Sequence, residues 1–335
     1  MGLAHDADQR FLSSGGRPGR PAHPRPPRRV GGKAPVTDPA PLLSPAIRSF
    51  RGDLTDPARW SVWQPREGDI LVCTPPKSGT TWSQTILTML VRGTTDLPDR
   101  VPVLSPWVDA DLGVPAARVA AALEAQEGRR VVKTHTPATG FPLWQGVRVI
   151  AVYRHPLDVF FSVRRAVANR PSAAPDHPMK LPVGVSARRF LDTPADPGDF
   201  DTDTLELIVT HYRDTVLSGR VPGLTALHYA DMRRDGRAAV AHLARAAGID
   251  APEDLIDRIA RATDFTAMKA RASDYAPVGG TGFWQSDAAF FDSGTSGKWV
   301  GQLSPALLEH YRSRMETLLP DPAARRWLEA GDHPA

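Results

Sequence analysis

The stretch Thr74-Pro-Pro-Lys-Ser-Gly-Thr-Thr-Trp82 constrains this chain most, because it sets a phosphate-sized loop between an apolar strand and an amphipathic helix. Asp69 to Cys73 reads Asp-Ile-Leu-Val-Cys, the continuous apolar run of a strand buried within a parallel sheet. Trp82, Ile86, Leu87, Met89 and Leu90 then recur at helical spacing, and Gly93 is placed to end the helix. The loop thus opens a helix whose first N–H groups are unpaired and whose dipole favours an anion. Gly79 allows close backbone approach, Lys77 supplies positive charge, and Ser78, Thr80 and Thr81 supply hydroxyl donors. A phosphate ester fits there. The order of residues is not that of a Walker A loop, which closes on Gly-Lys-Ser/Thr; here Lys77 precedes the glycine and enters from the strand side.

A pI near 9.4 invites a nucleic-acid reading until the charge is located. Of 41 basic and 37 acidic side chains, seven and three lie in residues 1–41, so the remainder is balanced at 34 of each. The first 41 residues also hold eight Pro and six Gly, a composition that predicts a disordered basic tail preceding one domain over 42–335. Arginines scattered among prolines do not make a nucleic-acid patch. The single cysteine, Cys73, excludes an intrachain disulfide and fits a reducing cytoplasm. No apolar run reaches the length of a membrane span.

Further strands are expected at Arg129 to Thr134, Val147 to Tyr153 and Leu224 to Tyr229. Helices are expected over Asp158 to Asn169, Thr202 to Ser218, Gly236 to Ala247, Pro252 to Ala262 and Pro305 to Leu318. Alternating strands and helices predict an α/β domain with a mostly parallel central sheet, helices on both faces and a P-loop-NTPase-like layout. Pro171 to Gly198 and Ser273 to Lys298 read as long loops. Ligands of such sheets bind at the carboxyl ends of the strands, which places Lys77, His135 and Arg154 on one edge. Asp158 is placed to cap its helix, and Ser162 lies one turn further on the same face. Arg154 and Ser162 together suit a second phosphate.

In order, these residues resemble the cytosolic-type sulfotransferases, which transfer a sulfuryl group from 3′-phosphoadenosine 5′-phosphosulfate to a hydroxyl or amine. The resemblance spans roughly residues 60 to 320 and rests on several motifs. Thr74 to Trp82 matches the 5′-phosphosulfate loop, and Lys133-Thr134-His135-Thr136-Pro137 the segment with the catalytic histidine. Tyr153 to Ser162 resembles the 3′-phosphate segment. Tyr229-Ala-Asp-Met232 and Thr263-Asp-Phe265 resemble the adenine-side segments, and Gly294-Thr-Ser-Gly-Lys-Trp299 the C-terminal loop. One departure stands out: where the family usually has Arg-Lys before that loop's first glycine, this chain has Asp292-Ser293. Beside a phosphate an aspartate is repulsive, so either it points away or the loop's backbone N–H groups and Lys298 hold the cofactor instead. Val300 likewise replaces a residue that is often basic.

The resemblance implies in-line displacement at sulfur with His135 as base, Lys77 stabilising the leaving phosphate, Lys133 assisting at the sulfuryl oxygens, and Ser162 beside them; no metal is needed. It assigns Lys77, Ser78, Gly79, Thr80 and Thr81 to the 5′-phosphate and Arg154, Ser162 and Gly294 to the 3′-phosphate end. Trp82 and Phe265 would sandwich adenine near Tyr229 and Thr263, although core packing explains both aromatic rings equally well. The acceptor would be a small hydroxyl compound, an alcohol, phenol or glycolipid. Trp107, Phe141, Trp144, Phe160, Phe190 and Trp284 are candidates for its pocket or for the core. Two rivals are a P-loop kinase, disfavoured by the position of Lys77 and by Arg154 at a strand end, and a non-catalytic nucleotide-binding relative, disfavoured by the presence of both His135 and Lys77.

Overall fold

The structure is a computed structural model that describes residues 39–332; the expected tail lies, but for its last three residues, outside the described residues. Four strands form one parallel sheet: β2 (Ile70–Cys73), β3 (Val131–Thr134), β5 (Arg148–Tyr153) and β6 (Thr225–His228), in the order β3-β2-β5-β6. A small antiparallel pair, β1 (Leu42–Ser44) with β4 (Leu143–Trp144), lies apart from it. The chain leaves β2 for a neighbour on one side and later returns to the other, so the crevice beyond the end of β2 is a topological switch point. Registers are direct: Cys73 pairs with Thr134 and Ala151, and Tyr153 with His228.

Period-two alternation sorts the strand side chains into two layers. Ile70, Val72, Val131, Ile150 and Val152 pack against helix α1 (Thr80–Arg92) and the helices Gly236–Ala247 and Glu253–Ala262. On the opposite face Ala151 and Tyr153 meet the helices Pro156–Ala168, Val183–Asp192, Leu205–Tyr212 and Pro305–Leu318. Leu71, Cys73, Val132 and Val149 meet Trp60, Trp63 and Phe141. Burial on both faces is why these strands read as continuous apolar runs.

Several boundaries differ from expectation for identifiable reasons. The segment Pro171 to Gly198 contains the helix Val183–Asp192, whose Ala187, Phe190 and Leu191 are buried at helical spacing; flanking Pro and Asp masked that period. Ser273 to Lys298 carries two short helical turns, Ala272–Tyr275 and Asp287–Phe290. The helix expected from Thr202 starts at Leu205, because the Thr204 hydroxyl caps it by accepting from Leu207 N at 3.2 Å, and beyond Tyr212 it widens into a π turn, Arg213–Leu217. Asp158 does not cap its helix. His155 does, its Nδ1 accepting from Leu157 N.

At the amino ends of the strands, Asp69 and Arg130 form a fully buried pair at 2.7 Å. The Asp69 carboxylate also accepts from Arg130 N, Arg66 N and Trp63 Nε1, which ties β2, β3 and the tryptophan layer together. Removing one partner strands the other charge in the interior. Asp69→Ala is therefore expected to destabilise the fold by about 3–5 kcal/mol in urea denaturation; a loss below about 1 kcal/mol would show that water already reaches Arg130.

Candidate functional site

All four strands of the sheet deliver residues to one crevice at their carboxyl ends. Beyond β2, Lys77 adopts φ 62°, and Gly79, at φ 110°, caps α1 with no side-chain hydrogen bond to its first N–H groups. A Cβ at Gly79 would crowd the Tyr229 ring at 3.0 Å, which adds to the conformational demand for glycine at this positive φ. Thr74 and Thr80 hydroxyls join across the loop at 2.6 Å. Ser78 is fully buried and does not reach the cavity wall, whereas Lys77, Gly79, Thr80, Thr81 and Trp82 do.

Beyond β3, His135 is buried and its Nδ1 lies 2.7 Å from the Thr74 carbonyl. A carbonyl only accepts, so Nδ1 carries the proton and Nε2 is left with its lone pair. Burial first, then the charge of Lys133, push the imidazole pKa well below 6.5, which keeps the ring neutral with its Nε2 lone pair free. Trp107 packs edge-on against the imidazole at 4.6 Å and holds the Lys133 ammonium 4.7 Å from its own ring. Burial lowers Lys133 to about 8. Burial, followed by the charges of Arg154, Lys298 and Lys133, lowers Lys77 to about 7. The face of Phe290 lies 3.9 Å from its ammonium.

Beyond β5, Arg154 donates to the Thr295 carbonyl at 2.6 Å and lies over the Tyr229 ring at 4.4 Å; its Nε is buried without a partner. Ser162 lines the same cavity one turn into the following helix. Beyond β6, Tyr229 donates to the Gly294 carbonyl at 3.3 Å and meets Trp82 edge-on at 5.9 Å. The Thr263 hydroxyl is engaged by the Ile259 carbonyl at 2.8 Å, while Phe265 lies so close beneath Gly294 that a Cβ there would stand 2.5 Å from its ring. Of the six aromatic candidates, Trp107, Phe190 and Trp284 face cavities at this crevice, whereas Phe141 and Phe160 are fully buried in the core and Trp144 packs against it.

Asp292 neither points away nor leaves its neighbours free. Its carboxylate faces the cavity, pairs with Lys298 at 2.5 Å and with Arg165 at 2.9 Å. Burial would raise its pKa, but the hydrogen bond and charge of Lys298, then Arg165 and Arg154, hold it below the usual value. The N–H groups of Gly297 and Lys298 are also committed, both donating to Asp158 at 2.9 and 2.8 Å. That double acceptance is the role Asp158 plays instead of capping.

Sequence reading missed Asp109, because it lies in a segment with no strand period. Its buried Oδ2 accepts from Thr134 and Thr136 hydroxyls at 2.8 and 2.6 Å and thereby fixes the backbone on either side of His135. Among the described residues no group of three or more His, Cys, Asp or Glu side chains could hold a metal ion.

Two cavities meet in this crevice. One, of about 250 Å³, runs along α1 past Arg154, Tyr229 and Phe265; the other, of about 190 Å³, runs between the helices Pro156–Ala168 and Leu205–Tyr212. Lys77, Trp107 and His135 line both. A sulfotransferase-domain model matches residues 67–322, which include every motif of the crevice. The chain belongs to the sulfotransferase family. It is 32% identical over 309 residues to a glycolipid sulfotransferase of Mycobacterium bovis, covering 84% of this chain and 94% of that protein. Its fold is that of retinol dehydratase, solved with androsterone and the inactive cofactor PAP, at TM-score 0.59, 19% identity and coverage of 77% and 82%. Mouse sulfotransferase SULT7A1, solved with PAP, aligns at TM-score 0.60, 19% identity and coverage of 78% and 88%.

Burial pushes the Asp109 carboxyl up from 3.8 to about 6, against the hydrogen bonds of Thr136 and Thr134. The folded protein thus holds this proton more tightly than the unfolded chain, and the group's contribution to stability falls as pH rises from 3.8 to about 6. Measured against Asp109→Asn, wild-type stability should decline across that window and run parallel above it. Parallel curves throughout would show that the carboxyl is not shifted.

Proposed function

We propose that the protein transfers a sulfuryl group from 3′-phosphoadenosine 5′-phosphosulfate to a hydroxyl of a small-molecule acceptor, with the residues of the crevice in the following roles. The observation that carries this assignment is the meeting of the two cavities at His135 and Lys77. The larger cavity suits the nucleotide: unpaired N–H groups of α1 with Thr81 and Lys77 at the 5′ end, Trp82 and Phe265 beside the base, and Arg154 and Ser162 at the 3′-phosphate. The smaller cavity suits the acceptor.

The acceptor oxygen attacks sulfur in line with the bridging oxygen of the phosphosulfate. As the new O–S bond forms, His135 Nε2 takes the hydroxyl proton, and the S–O bond to phosphate breaks with its electron pair leaving on the phosphate. Lys77 faces that developing charge, and a lysine with its pKa near 7 can donate a proton as well as neutralise. Lys133 stands next to the base and meets the sulfuryl oxygens. The Thr74 carbonyl stabilises the imidazolium formed at His135, since it holds the Nδ1 proton throughout.

Binding of adenosine 3′,5′-bisphosphate by calorimetry, and sulfated product by mass after incubation with the donor and a panel of phenols, sterols and glycosides, test this reading. Absence of both would refute it. At the 3′ end, Asp292 competes with a phosphate for Lys298 and Arg165. Asp292→Asn is expected to tighten bisphosphate binding about 3- to 10-fold, the scale of one partly exposed charge contact; unchanged or weaker binding would show that the carboxylate does not oppose the ligand.

A further inference from the structure

The smaller cavity holds two polar groups that neither the fold nor the transfer chemistry uses. Its walls are apolar where Val159, Val163 and Val167 of one helix face Leu207 and Ile208 of another. Lys77, His135 and Trp107 form its transfer end. Most other polar side chains on its wall are already engaged. Asp201 accepts from Leu54 N, Thr55 N and the Thr55 hydroxyl. Thr202 donates to the Asp199 carbonyl, Thr204 caps its helix, and Trp284 donates to the Pro277 carbonyl. His211 contacts Tyr153 Oη at 2.8 Å and Cys73 Sγ at 3.5 Å.

Asp203 and Arg170 are the exceptions. Asp203 lines this cavity, and its carboxylate has no hydrogen bond or ion pair among the described residues. Arg170 lines both cavities, lies over the Phe283 ring at 5.1 Å and, among the described residues, makes no ion pair and keeps a buried Nε–H without a partner. The buried Arg170 Nε–H costs stability while it is unmet, and the half-buried Asp203 carboxylate stands at the cavity wall as an acceptor that no described residue engages. We propose that Asp203 and Arg170 form an acceptor-recognition pair that hydrogen-bonds a second hydroxyl of a neutral, amphiphilic polyol while its first hydroxyl faces His135.

The charge balance selects a neutral group. An ammonium at Asp203 would stand among Lys77 and Arg170, and a carboxylate at Arg170 would stand among Asp201 and Asp203. A hydroxyl donates to one side chain and accepts from the other. Burial and the charge of Asp201 push the Asp203 carboxyl up to about 7 even though Lys77 and Arg170 pull it down, so near neutral pH the carboxyl populates both its protonated and its ionised form. The valine-lined wall takes the apolar body. Sugar headgroups on alkyl chains have this combination.

The proposal rests on the sulfotransfer reading, and octyl β-glucoside and 1-octanol separate the two. With the full chain and the sulfate donor, kcat/KM is measured for each acceptor, and binding of each to the bisphosphate-loaded protein is followed by calorimetry. The wild type should favour the glucoside. In Asp203→Leu, Asp203→Asn and Arg170→Met the glucoside-to-octanol ratio should fall, at least tenfold in Asp203→Leu and Arg170→Met, mainly through KM. The isosteric Asp203→Asn and circular dichroism guard against misfolding. Equal losses for both acceptors, an unchanged ratio, or no glucoside binding to the wild type would overturn the proposal. If bisphosphate binds and other hydroxyls are sulfated, the sulfotransfer reading survives that result; if neither occurs, it falls as well.

Discussion

The site depends on the register of β2 between β3 and β5. Because Cys73 pairs with Thr134 on one side and Ala151 on the other, β2 and β3 leave the sheet level while β5 runs two residues further, to Tyr153. The Thr74 carbonyl then lies within hydrogen-bond reach of the His135 imidazole, and the Arg154 guanidinium reaches the loop that follows β2, 3.4 Å from the Lys77 carbonyl. A slip of one residue would reverse which side chains face each helix layer and part the histidine from the carbonyl that sets its tautomer. The Asp69–Arg130 pair at the opposite end of the same strands anchors this register from below.

Charge is the second organising element. Lys77, Lys133, Arg154 and Lys298 converge on one crevice, and burial depresses the pKa of all three lysines. Such a cluster is costly without an anion, and among the described residues Asp292 is the one carboxylate lining the larger cavity. An anionic nucleotide would relieve the repulsion among the cations, so the arrangement of donors suits a ligand of negative charge. The hydrophobic rings around it lower the local dielectric and strengthen each of these interactions.

Much of this was legible in the chain. The strand, loop and helix around Lys77 announced themselves by period and by glycine placement, and Gly236–Ala247 and Pro305–Leu318 appear with the expected bounds. Local chemistry could not reveal Asp109, whose partners are 25 and 27 residues away, or the spatial pairing of Asp158 with Gly297 and Lys298. The helix Val183–Asp192 was hidden because Pro and Asp around it outweighed three buried apolar positions. Asp292 looked like a misfit from its neighbours in sequence; its ion pairs with Lys298 and Arg165 exist only once the chain is folded. Asp203 and Arg170 carried no motif, and their significance lies in what they fail to contact.

The central claim is that His135 removes the acceptor proton while the cations around it bind the donor and stabilise its leaving phosphate. Pre-steady-state transfer by His135→Ala, measured beside the bisphosphate dissociation constant of the same variant, tests it most directly. The account predicts a loss of turnover of about 10²- to 10⁴-fold, the range of a general base, with nucleotide affinity within about twofold of wild type. Transfer at near wild-type rate, or a collapse of nucleotide affinity that accounts for the lost rate, would contradict it.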